Sequence, residues 1–168
     1  MYNFFVVLHI ISAGVIIGLI TTSILGHSMR KKVKGTMAEL GSIRGAAIMA
    51  PVMANIGSIG LLLTGVVTTI MQYNSSFFGF STLPWLAMMQ TDYVVIMAIS
   101  GAIMMPRGKK ILALANAELA GPNAPKGASE ELRSLVNKQH TMTMVLAVLV
   151  FIAIYLGESK SLMWVGAR

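Results

Sequence analysis

Four stretches of this chain are almost wholly apolar. The first, Phe4 to Leu25, holds no Asp, Glu, Lys or Arg; the others run Ala46 to Met71, about Trp85 to Met105 and about Thr141 to Leu156. Each is close to the ~20 residues a helix needs to cross the hydrocarbon layer of a bilayer, the fourth being the shortest. Backbone polar groups in hydrocarbon must be satisfied within their own segment, so all four stretches are predicted as spanning helices. The first is read as a retained span rather than a cleaved leader. No basic residue precedes it, it is too long for a leader's apolar part, and its positive charges follow it.

The polar positions between the runs set an orientation. Arg30, Lys31, Lys32, Lys34 and Arg44 lie between the first and second runs, and Arg107, Lys109, Lys110, Lys126, Arg133 and Lys138 between the third and fourth. These are eleven of thirteen basic residues, and the connection between the second and third runs has none. The positive-inside rule then predicts both termini outside and two cytoplasmic connections. Tyr2, Phe4, Phe5, Tyr73, Phe77, Phe78, Phe80, Trp85, Tyr93, Phe151, Tyr155 and Trp164 all fall toward the outer side in that orientation.

Composition agrees. The 168 residues are 55% hydrophobic and 11% charged, against about 25% charged in a soluble domain. The expected fold is therefore all-α: one four-helix transmembrane bundle over 1–168, with helices at about 4–25, 46–71, 85–105 and 141–156. The cytoplasmic connections are 26–45 and 106–140, and the outer loop is 72–84. The net charge of +7 is accounted for by topology and attraction to anionic lipid, with no call for nucleic acid. The absence of cysteine excludes disulfides, thiolate metal sites and a Cys nucleophile.

Helical signals continue past the apolar runs. Thr36 with Glu39 fits a capping box, so the second helix is expected to begin before the membrane and to kink at Pro51. Lys109 to Ala120 is rich in helix formers, Gly121-Pro122-Asn123-Ala124-Pro125 breaks it, and Ser129 reads as an N-cap ahead of Glu130 and Glu131. The bundle should thus carry short cytoplasmic helical extensions. In the outer loop, Phe77-Phe78-Gly79-Phe80 reads as an interfacial anchor and Asn74-Ser75-Ser76 as a weak glycosylation match.

At 100° per residue, Gly14, Gly18 and Thr22 share one face of the first helix, a GxxxG-type surface where a partner helix or second copy would dock. His9 lies on the opposite face. On the second helix Ala50, Ala54, Gly57, Ser58 and Gly65 form a small-residue stripe suited to internal packing.

Two ionisable residues interrupt the apolar runs. An ionisable group at membrane depth is costly and is usually paired and functional. His9 and Asp92 each sit roughly 8–10 Å below the outer boundary, with Thr69 and Tyr155 at similar depth. Gln90 is about 160° around the helix from Asp92 and should point elsewhere. An Asp–His pair can orient a metal- or haem-ligating imidazole, pass protons, or fix helix register; alternatively Asp92 is interfacial. His27 and His140 share the inner boundary, where they are either interfacial or an alternative bis-histidine haem pair. The fourteen methionines form no cluster in one layer and read as flexible core filler. There is no hydrolase motif or phosphate-cradling glycine loop, and the chain leans away from an enzyme.

Leu8-His9-Ile10-Ile11 followed by a small-residue helix with Gly18-Leu19, then Leu63-Thr64-Gly65, Trp85 opening the third helix and the basic stretch Arg107 to Lys110, resembles the HemJ and copper-resistance-D-like group of bacterial membrane proteins. The resemblance implies a four-helix plan and, from the HemJ branch, haem b on the first-helix histidine, here His9. The chain departs from that group in lacking a mid-helix aromatic and a closing Pro-Arg pair in the first helix, and an intramembrane Lys. The expected function is a small redox-associated protein of the bacterial inner membrane that binds haem, linked to quinone or to a respiratory assembly. A non-catalytic accessory subunit, contacting other membrane subunits or its own copies, is the alternative. Metal or small-solute transport is the third reading.

Overall fold

The computed structural model describes residues 1–73, 84–121 and 126–164, with side chains over 1–71, 85–121 and 126–157. The aromatic motif of the outer loop, Asn74, and Pro122 to Pro125 lie outside the described residues. All regular structure among the described residues is helical. Helix α1 is Tyr2–Lys32, α2 Met37–Tyr73, α3 Pro84–Ile99, α4 Met105–Ala120 and α5 Glu130–Trp164, and a π-turn, Ser100–Met104, joins α3 to α4 without a break. Four helices are long and apolar enough to cross a membrane: α1, α2, the α3–α4 rod and α5.

The rods are longer than crossing requires. The 37 residues of α2 extend about 55 Å, against about 30 Å of hydrocarbon. The excess gathers at one end, where the basic residues are. There α2, α4 and α5 run on past their apolar runs into a stalk, as the capping and helix-former signals predicted. Pro51 sits inside a continuous α2. The rod runs on through Pro106. This proline has no N–H for the carbonyl four residues back, and the ladder shifts instead: Met105 N–H donates to Ser100 C=O, five residues away. Such a π-bulge keeps the rod continuous across a proline.

The stalk has the tightest core in the described chain. Leu40, Ala115 and Leu132 are fully buried, and Ile43, Ile111 and Ala128 nearly so. A buried polar clasp closes over it. Glu39, 5% exposed, accepts hydrogen bonds from Arg133 Nε and Nη2, both at 2.9 Å. The same carboxylate accepts from the Gly35 N–H at 2.8 Å and the Ala128 N–H at 3.3 Å. Arg133 Nη1 also donates to Glu130 at 2.8 Å. Held chiefly by the Arg133 guanidinium, the Glu39 carboxyl is pushed down to about 2, and Arg133 is held further into its charged form. Ser129 caps α5 as expected, its Oγ accepting from Leu132 N–H at 3.2 Å, and Glu118 accepts from the Ser129 N–H at 2.9 Å. The capping box at the start of α2 takes another form. Thr36 donates to Val33 C=O, and Glu39 serves Gly35 and the distant Ala128 and Arg133.

Two positive-φ glycines make this clasp possible. Gly35 has φ +80° and Gly127 +79°, in the left-handed region that side chains resist. A Cβ on Gly127 would lie 2.7 Å from Thr36 N and 2.8 Å from both Gly35 C and Glu39 Oε2.

Candidate functional site

Among the helix contacts of the bundle, α1 packs on α2 and α3 on α5, and α1 also meets α5. The α1–α2 seam is set by glycine. A Cβ on Gly57 would lie 2.6 Å from Ile16 Cδ1, and one on Gly60 would collide with Ser12 Oγ. These two residues, with Gly65, let α1 lie close along α2. Between α2 and α3, Tyr93 Oη donates to Ser58 C=O at 2.9 Å.

His9 is held in the α1–α2 seam. Its Nδ1 is 2.9 Å from Thr64 Oγ1, and its Cε1 is 3.4 Å from a Cβ placed on Gly65. Thr64 is itself anchored, donating to Gly60 C=O at 2.6 Å. With its only hydrogen spent there, the Thr64 oxygen accepts from His9 Nδ1–H, which leaves the imidazole lone pair on Nε2. In this tautomer Nε2 is the nitrogen able to ligate a metal or accept a proton.

Asp92 stands on the other pair, on α3. It is buried, at 9% exposure, and its Oδ2 has no hydrogen-bond partner among the described residues. No hydrogen bond or ion pair joins it to His9 among those residues; Thr64 takes the orienting position that the sequence offered to Asp92. Gln90, expected to point elsewhere, is as buried as Asp92, with an unpartnered Nε2. Thr69 is buried on α2, whereas Tyr155 is 70% exposed and faces away from this layer. The aromatic half thus encloses Thr64, Thr69, Gln90 and Asp92 while its exposed positions are largely apolar, such as Ile10, Ile56, Val94 and Phe151.

The basic end holds a second group. His27 and His140 do meet: their rings stack at 3.8 Å between centroids and 5° between planes. Rings stacked in this way lie side by side. They do not face each other across the gap that a macrocycle between two axial ligands would fill. Burial, with Arg30 and Lys31 nearby, lowers both imidazoles below the usual histidine range.

The face carrying Gly14, Gly18 and Thr22 is exposed, and Cβ atoms on either glycine would meet nothing within 4 Å. No residue of α1 is fully buried. A further polar group lies on α2. Asn55, in the middle of the second apolar run, is exposed. Thr91 and Thr68 bond carbonyls of their own helices, but the Asn55 carboxamide has no hydrogen bond among the described residues.

Sequence reasoning did not single out Gly60, Arg133 or Asn55, and it met Thr64 only within Leu63-Thr64-Gly65. Thr64 had a signal, since it falls at helical spacing from Gly57 and Gly60 on the side of α2 that meets α1. Among the described residues no group of three or more His, Asp and Glu side chains is placed to hold a metal ion. No family model, curated protein or solved structure matches this chain.

Proposed function

We propose that this protein is a subunit of a membrane assembly, working through helix–helix contacts within a bilayer. The observation that carries the reading is Asn55: a carboxamide turned outward, without a partner, about 13 Å along the helix from the start of its apolar run. An unsatisfied amide in hydrocarbon costs several kcal/mol, and a polar group on a neighbouring helix removes that cost. The open Gly14/Gly18/Thr22 face of α1 offers a second close-approach surface at a similar level. The charge and aromatic asymmetry supports a bacterial inner membrane setting with the stalk in the cytoplasm and both termini outside. The test is native mass spectrometry from mild detergent and from nanodiscs. A stoichiometric partner or defined oligomer is expected, weakened in Asn55→Leu and Gly18→Leu with helicity retained. A wild-type monomer under both conditions removes the proposal.

A second reading, haem bound through His9, is favoured by one observation: the Thr64 lock leaves Nε2 as the available donor. The donor chemistry fits a single axial ligand, and the group when bound would supply one-electron redox chemistry. A reduced-minus-oxidised spectrum of protein from haem-sufficient cells tests it. An α-band lost in His9→Ala supports it, and a colourless preparation removes it.

A further inference from the structure

We infer that the basic end of the bundle carries a phosphate site formed by His27 and Arg30 of α1 and His140 of α5, at the level of lipid headgroups. The two imidazoles are stacked, and the Nδ1 atom of each is buried without a hydrogen-bond partner. Arg30 stands one turn from His27 on the same side of α1. Its Nε is likewise buried and unpartnered, and its guanidinium folds back along the helix: Nη1 lies 3.9 Å from a Cβ placed on Gly26. Three nitrogen groups able to donate therefore gather at one level, just past Leu25, where the apolar run of α1 ends.

The acidic group that acts on Arg30 is Glu39 of α2, and its two oxygens are already taken by Arg133 and two backbone amides. Lys31 adds a second positive charge beside the rings. Buried unpartnered donors surrounded by uncompensated positive charge suit an anion with several acceptor oxygens. A guanidinium flanked by N–H donors is complementary to the non-bridging oxygens of a phosphate or phosphodiester. A metal cation does not suit the same place, since Arg30 and Lys31 repel it.

Protonation follows from the same arrangement. The charged groups acting on the histidine pair are Arg30 and Lys31 of α1; Glu39 of α2 acts on Arg30 and is itself paired with Arg133 of α5. The pair is therefore neutral near pH 7, and an arriving phosphate favours proton uptake by the rings. Binding should tighten as pH falls through the range, lowered from that of an ordinary histidine, in which the pair takes up protons.

The experiment uses the full chain in detergent, with phosphatidylglycerol, phosphatidylcholine or inorganic phosphate added, read by native mass spectrometry and 31P line broadening. Wild type is expected to hold the phosphate-bearing probe it selects at least about 10-fold more tightly than Arg30→Gln or the double variant His27→Phe/His140→Phe. The double variant keeps a ring stack and removes the ring nitrogens, and circular dichroism checks that both proteins stay helical. Lys109→Gln, an exposed basic residue on α4, should bind as wild type does. Preference for phosphatidylglycerol with no effect of millimolar phosphate assigns a lipid headgroup, and displacement by inorganic phosphate assigns a soluble anion. Equal retention of both lipids assigns the shared phosphodiester; binding of lipid or phosphate that survives unchanged in Arg30→Gln and the double histidine variant, or no binding of any probe by wild type, overturns the inference.

Discussion

Replacing Glu39 with Gln should open the stalk. The substitution keeps the side-chain size and removes the charge, leaving Arg133, whose side chain is 19% exposed, without its main counter-ion. Two routes give the magnitude. The carboxyl is depressed from 4.5 to about 2, and at about 1.36 kcal/mol per unit this linkage is worth about 3 kcal/mol. Removing one partner of a buried ion pair costs about 3–5 kcal/mol; residual exposure of Arg133 and its bond to Glu130 place this pair at the lower end. The sign of the pH dependence follows. A carboxyl with a depressed folded-state pKa contributes stability that is fully present above about 4.5 and is lost as pH falls toward 2. Hydrogen exchange gives a local readout, because Glu39 accepts from the Gly35 and Ala128 amides. If the stalk opens as a unit, a loss of about 3 kcal/mol accelerates exchange at both amides about 100-fold, while amides in the middle of α1 stay as protected as before. Acidifying wild type from pH 5 to 3 should move the same two amides in the same direction, after correction for intrinsic exchange. A double-mutant cycle with Arg133→Met isolates the pair. Exchange at Gly35 and Ala128 within threefold of wild type in Glu39→Gln would refute the argument, as would a coupling energy below about 0.5 kcal/mol.

Other outcomes follow from the same geometry. Gly127→Ala combines left-handed backbone with overlap on Thr36 N and Gly35 C and should destabilise the stalk by more than about 2 kcal/mol, whereas Gly35→Ala, strained but with open space around it, should cost about 1 kcal/mol; thermal melts by circular dichroism rank the two. Gly60→Val should force α1 from α2 and lower stability by about 1–3 kcal/mol, while Gly14→Ala should leave the isolated chain as stable or slightly more so, by up to about 1 kcal/mol, on the same assay. Thr64→Val should release the His9 Nδ1–H and change the tautomer balance of the ring, seen as a shift in its imidazole 15N resonances; unchanged resonances would mean that Thr64 does not orient it.

The helices were legible in the sequence because their signal is local. Uninterrupted apolar runs, Ser129 at the head of α5 and the helix formers after Pro106 each need only neighbouring residues to be read. The clasp was not legible, because Glu39 and Arg133 are 94 residues apart and periodicity carries no information about which charges meet across a bundle. The capping-box pattern pointed at Glu39 and supplied the wrong partner, since tertiary donors outcompeted the local one. His9 and Asp92 were matched by depth alone. Depth says which residues share a layer, whereas the pairing of α1 with α2 and of α3 with α5 decides which of them touch.

The clasp also has a consequence for the order in which the protein is made. The seam between α1 and α2 joins residues 9–16 to 57–65 and can close while the rest of the chain is still unsynthesised. The stalk cannot, because Ala128 and Arg133 are made only after α4. A nascent chain ending before α5 would present Glu39 without its guanidinium and an apolar patch around Leu40 and Ile43 without its cover, all at the basic end. Closure of the stalk therefore waits for the start of α5, and an open stalk exposes the kind of surface that chaperones and proteases recognise.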